Sequence, residues 1–88
     1  MGKYRSRTEI VCQILVTARE IDGVAKTKIM YKAYLSFTQL REYLKLLMDS
    51  GLLEHIPERN TYRTTDKGIK MLETCNTMNQ LVGREAPT

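Results

Sequence analysis

The chain has 88 residues, 42% of them hydrophobic and 27% charged, and a formal net charge of +4. That is enough for one small globular domain with a single core, and it excludes both a two-domain protein and a disordered chain. No apolar run is long enough to span a bilayer, and none follows the basic start Met1-Gly2-Lys3-Tyr4-Arg5-Ser6-Arg7 to make a signal peptide, so a cytoplasmic location is expected.

Ser6 to Ile21 reads as a first helix. Ser6 and Glu9 form a capping box, and Ile10, Val11, Ile14, Leu15, Ala18 and Ile21 recur at helical spacing until the Asp22-Gly23 turn signal. Lys26 to Tyr34 is a short second helix with Ile29, Met30 and Ala33 inward. A third helix follows almost at once: Ser36 and Gln39 make another capping box, Leu35 and Leu40 a hydrophobic staple, and Gly51 closes the helix in the left-handed region. Its predicted apolar face is Phe37, Leu40, Leu44, Leu47 and Met48, and Thr38, Glu42, Lys45 and Asp49 lie opposite. A turn this short between helices makes them cross steeply, as in a helix-turn-helix.

After Gly51 the period changes. Leu52 to Ile56 and Tyr62-Arg63-Thr64 are strand-prone, and Pro57-Glu58-Arg59-Asn60-Thr61 between them is turn chemistry with Asn60 suited to a left-handed conformation. Thr65 then caps a last helix that places Asp66 in its first turn and runs to Leu81 or Val82, and Gly83 to Thr88 is a loose tail. The order helix, helix, helix, hairpin, helix is that of a winged helix-turn-helix, α+β but mainly α. Residues 1–65 form the winged helix-turn-helix, 66–82 the C-terminal helix and 83–88 the tail.

The excess charge is local. Residues 1–34 carry seven basic side chains, Lys3, Arg5, Arg7, Arg19, Lys26, Lys28 and Lys32, against Glu9, Glu20 and Asp22, whereas the remainder is balanced. A one-sided basic region attracts polyanions, nucleic acid first. Cys12 and Cys75 are far apart with no ligand-like spacing. A free cysteine in a helical pattern is a small buried hydrophobe, which is expected here over a disulfide or redox role. His55 has no second ligand in sequence and reads as a partly exposed structural histidine, so no metal or cofactor is implied. Tyr4, Tyr31 and Tyr43 read as core-edge residues. With no nucleophile and base pair, carboxylate pair or phosphate-cradling glycine loop, the sequence points away from an enzyme.

The run K-T-K-I-M-Y-K-A-Y-L-S-F-T-Q-L-R-E-Y-L-K-L-L-M-D-S-G-L-L from Lys26 to Leu53, with R-S-R-T-E-I at Arg5 to Ile10 and Y-R-T-T-D-K-G at Tyr62 to Gly68, resembles small archaeal winged-helix proteins. These are known as nucleoid or chromatin-associated DNA-binding proteins and related regulators. The resemblance implies DNA binding and dimerisation through the last helix as an antiparallel coiled coil. Gly68, Met71, Cys75, Met78 and Val82 fit an a/d pattern for such a seam, while Ile69 and Leu72 can turn toward the domain's own core. The last helix is shorter here than in the chromatin proteins of the family.

Double-stranded DNA is therefore the expected partner, bound by an architectural nucleoid protein or a transcriptional regulator acting as a homodimer. Thr38, Gln39, Glu42 and Lys45 are the candidates for the major groove, with Ser36 and Arg41 near phosphates. Gln39 suits a bidentate contact to adenine unless it is held as the reciprocal partner of the Ser36 cap. Lys26, Lys28, Tyr31 and Lys32 flank the site from the second helix, Arg5 and Arg7 track a neighbouring phosphate run, and Arg59, Asn60 and Arg63 place the wing. The rival reading is a winged helix that binds a protein partner without touching DNA. Its support is that Glu42 and Asp49 cancel Arg41 and Lys45 on the outward face of the third helix.

Overall fold

The computed structural model describes residues 6–83, with side chains described to Cys75. The elements follow in the expected order: α1 (Arg7–Thr17), α2 (Lys26–Ala33), α3 (Phe37–Asp49), β1 (Leu53–Ile56), β2 (Thr61–Thr64) and α4 (Asp66–Gly83). Gly83, expected to open the tail, is the last residue of α4, and Arg5 and residues 84–88 lie outside the described residues.

α1 begins at a complete capping box, with the Ser6 hydroxyl accepting from the Glu9 amide at 3.1 Å and the Glu9 carboxylate accepting from the Ser6 amide at 2.8 Å. It ends earlier than the apolar spacing suggests, and Ile21 is 86% exposed beyond it. The reason is a competing partner for the last carbonyls. The Thr64 hydroxyl donates to Leu15 O at 2.6 Å and the Thr64 amide to Ala18 O at 3.0 Å, so β2 satisfies the helix end that a further turn would otherwise satisfy.

Tyr34 follows α2 in the left-handed region at φ 53°, and only Leu35 and Ser36 separate it from α3. The Leu35 amide reaches back to Met30 O at 3.0 Å, and Leu35 and Leu40 are both buried, which completes the staple around the Ser36 cap. The buried side of α3 is Leu40, Tyr43, Leu44 and Leu47. Tyr43, expected at the core edge, takes the place that periodicity gave to Phe37 and Met48, and both of these are exposed. Either stripe is contiguous at 100° per residue, and burying the Tyr43 ring turns the helix so that Phe37 and Met48 rise to the rim. Gly51 at φ +77° then closes the helix as expected.

β1 and β2 pair antiparallel with Leu53 opposite Thr64 and Glu54 opposite Arg63. The tip turns through Asn60 at φ 52°. Val24 adds a one-residue bridge to Tyr62, through amide bonds of 2.9 and 2.8 Å, which joins the hairpin to the α1–α2 connection. Ile14, Leu15, Ala18, Ile29, Ala33, Leu40, Leu44, Leu47, Leu53 and Leu72 meet in one core.

The cysteines overturn an expectation. Cys12 and Cys75 are bonded to each other as a disulfide with Cα atoms 6.1 Å apart, and no free cysteine remains. Packing of α4 along α1 brings the two Cα atoms within bridging range, which a separation of 63 residues conceals in the sequence. On α4 the inward residues are Gly68, Leu72 and Cys75, while Met71 is 40% exposed. Gly68 and Cys75, expected on a dimer seam, instead belong to the interior. A Cβ on Gly68 would collide with Leu52 O and Thr64 Cγ2, and Cys75 faces α1.

Candidate nucleic-acid interface

The solvent-facing side of α2 and α3 is built by the burial of the other side. With Ile29 and Ala33 turned inward, α2 presents Lys26, Lys28, Tyr31 and Lys32, all exposed and with no acidic residue among them. With Leu40, Tyr43, Leu44 and Leu47 inward, α3 presents Ser36, Thr38, Gln39, Arg41, Glu42 and Lys45. The short connection through Tyr34, Leu35 and Ser36 keeps these two helices adjacent. Lys26 Nζ lies over the ring of Phe37, 5.6 Å from its centroid, so the first residues of the two helices are within side-chain reach of each other.

Not every residue expected at this surface is free for it. The Gln39 carboxamide oxygen accepts from the Ser36 amide at 3.0 Å, and the Ser36 hydroxyl accepts from the Gln39 amide at 3.1 Å. Gln39 is thus the reciprocal cap partner. A bidentate contact to adenine needs both its oxygen and its nitrogen, so that reading is set aside. Lys45 pairs with Asp49 one turn along at 3.1 Å; both are exposed, and such a pair yields readily to a stronger anion.

Around the hairpin the assignments divide. Arg59 is exposed at the tip, with Asp22 Oδ1 3.6 Å from its Nε. Asn60 is exposed beside it, and its side-chain oxygen lies 3.1 Å from His55 Nε2, with the His55 ring tilted at 38° against Tyr62 and the centroids 4.8 Å apart. His55 therefore braces the turn. Arg63 departs from expectation: its Nε and Nη2 hold Glu54 at 2.8 and 2.7 Å, and its Nη1 donates to Ile21 O at 2.8 Å. All three guanidinium nitrogens have protein partners, so Arg63 ties the hairpin to the α1–α2 connection and is not a free wing cation. Arg7 is exposed in the first turn of α1.

Sequence periodicity missed Phe37. It stands at the first position of α3, 54% exposed, on the flank that also carries Arg41 one turn on. The available signal was the second contiguous stripe through Tyr43, which leaves Phe37 outside it. No group of acidic, histidine and cysteine side chains suited to a metal ion occurs among the described residues.

The sequence pattern of the winged helix-turn-helix family matches residues 4–83. The chain belongs to that family. Within the winged helix-turn-helix, α2 and α3 are the two helices of the turn, the β1–β2 hairpin is the wing, and α4 is the helix appended after it. Comparison with curated proteins found no match. Among solved structures, the fold is similar to that of Sso10a-2, described as a DNA-binding protein from Sulfolobus solfataricus, with a TM-score of 0.66, 22% identity, and coverage of 96% of this chain and 99% of that one. No described helix is long and apolar enough to cross a membrane.

Proposed function

We propose that this protein binds double-stranded DNA by placing the outward face of α3 in the major groove, with α2 over one phosphate run and the wing tip over another. The observation that carries the reading is the set of three exposed lysines on α2, Lys26, Lys28 and Lys32, on a helix with no acidic residue that adjoins the polar flank of α3. Phosphate contacts supply affinity and base edges supply choice. Lys26, Lys28, Lys32, Arg41 and Arg59 serve the first purpose, with Arg7 extending the track; Thr38, Glu42 and Lys45 serve the second. The description of the structurally similar Sso10a-2 as DNA-binding supports the same reading. Because Glu42 and Asp49 offset Arg41 and Lys45, α3 adds little net attraction of its own, and affinity rests on α2 and the wing.

The protein acts as a homodimer through α4 in this proposal. Met71 is exposed on that helix; Met78 and Val82, which complete the seam, lie outside the described side chains.

Titration of a labelled duplex at several salt concentrations tests the reading. Affinity should fall with salt at a log-log slope of about −0.9 per phosphate neutralised, and replacing Lys26, Lys28 and Lys32 together by Ala should make the slope shallower by about two to three units. Absence of duplex binding at low salt, together with capture of a stable protein partner, would favour the protein-interaction reading that the cancelled charge of α3 supports. A selected-to-random affinity ratio near one assigns an architectural, nucleoid-associated role, and a ratio of about 10³ or more assigns a regulator.

A further inference from the structure

Of the large apolar side chains of α3 that the core leaves out, Phe37 is more exposed than Leu46 or Met48, and it alone stands at the start of the helix. Its ring is 54% exposed, and it sits at the first position of the helix proposed to enter the groove. Lys26 is placed over it at 5.6 Å, Arg41 follows one turn on, and α2 beside it carries Lys28 and Lys32 with no acidic residue. An exposed aromatic ring with one cation over its face and another a turn along its helix suits a partner that is polyanionic yet presents an apolar group at its surface. In the major groove of DNA only thymine does so, through its C5-methyl group, which apolar side chains contact.

We propose that Phe37 is a specificity-determining residue that packs against a thymine C5-methyl group, while Lys26 moves from the ring to an adjacent phosphate. The inference rests on the DNA-binding reading and deepens it by naming the feature read. Thr38 beside it supplies a hydroxyl that tolerates any base edge and only one methyl group, so Phe37 offers the larger apolar surface for a thymine methyl. Arg41 holds the neighbouring backbone.

The test compares one A·T-rich duplex with the same duplex in which every thymine is replaced by uracil, using the unaltered protein and the Phe37→Ala variant. Burial of one methyl group predicts about a fourfold loss of affinity for each contact removed. The unaltered protein should therefore prefer the thymine duplex, and the variant should bind both equally. Phe37→Leu, which keeps an apolar contact, should retain part of the preference. Equal binding of both duplexes by the unaltered protein overturns the inference. So does a uracil penalty that persists in Phe37→Ala, because it would come from DNA shape. A drop in solution mass from dimer to monomer in Phe37→Ala also overturns it, since the ring would then be covered by a second copy of the chain. If neither duplex binds at low salt, the underlying DNA-binding reading falls and takes this inference with it.

Discussion

Thr64 does the work of several residues. Its hydroxyl and amide occupy the Leu15 and Ala18 carbonyls, and its methyl group lies against the place where a Cβ on Gly68 would fall. Thr64→Val keeps the shape and removes the donor, leaving a buried carbonyl unpaired, so we expect a loss of about 1–2 kcal/mol in a denaturant titration. Gly68→Ala introduces a carbon into space held by Leu52 backbone and should cost about 1–3 kcal/mol by the same measurement. Neither change touches the α2–α3 surface, so the duplex affinity of the folded fraction should be unaltered. At this scale the sequence was an uneven guide. Both capping boxes, the left-handed Asn60 and the staple are local, set by residues three to five apart, and were legible. The roles of Arg63, Thr64 and Cys75 depend on partners many residues away and left no mark in any local pattern.

Among the elements, α3 shows how a capping motif claims a side chain, Gln39, that the sequence also offers for base contact. Replacing Ser36 by Ala removes the acceptor for the Gln39 amide and should lower stability by about 1 kcal/mol. The order of all six elements was legible, and so were their approximate limits except the end of α1, where Thr64 of β2 takes the last carbonyls. The rotation of α3 was not, since two overlapping stripes satisfy the same period and only the packing of Tyr43 against the other helices selects between them. The same limit applies to α4, where an a/d reading and a core-facing reading share Gly68 and Cys75, and the close approach of Leu52, β2 and α1 decides for the core. With those positions committed inward, the proposed dimer would rest on Met71 and the residues that follow. Met71→Lys should shift the solution mass from dimer toward monomer. A monomeric mass for the unaltered protein would remove α4 as an interface.

For the molecule as a whole, the Cys12–Cys75 bond fastens the start of the chain to the helix that follows the wing. Closing a loop of this length reduces the entropy of the unfolded chain by an amount worth about 4 kcal/mol in the chain-entropy model, and measured effects run about 2–4 kcal/mol. Reduction by a dithiol, or Cys12→Ser with Cys75→Ser, should lower the unfolding midpoint accordingly, and coincident unfolding curves for the oxidised and reduced protein would show that α1 and α4 hold together without it. The bond also bears on where the oxidised protein persists. A disulfide is maintained in an oxidising compartment or in the disulfide-rich interior of hyperthermophiles, a constraint that composition alone did not reveal.

The hairpin, finally, is sewn down along its length: Val24 to Tyr62, Thr61 to Asp22 O, Arg63 to Ile21 O and Thr64 to α1. Such an arm cannot swing, so its tip and α3 behave as the two jaws of a locked calliper. In the proposed binding mode the stretch of duplex between them is then set by the protein and not by the DNA sequence, and a nuclease footprint should keep one width across unrelated sites. Two residues inserted between Glu58 and Arg59 would lengthen only the free end of that jaw and widen the footprint on one side.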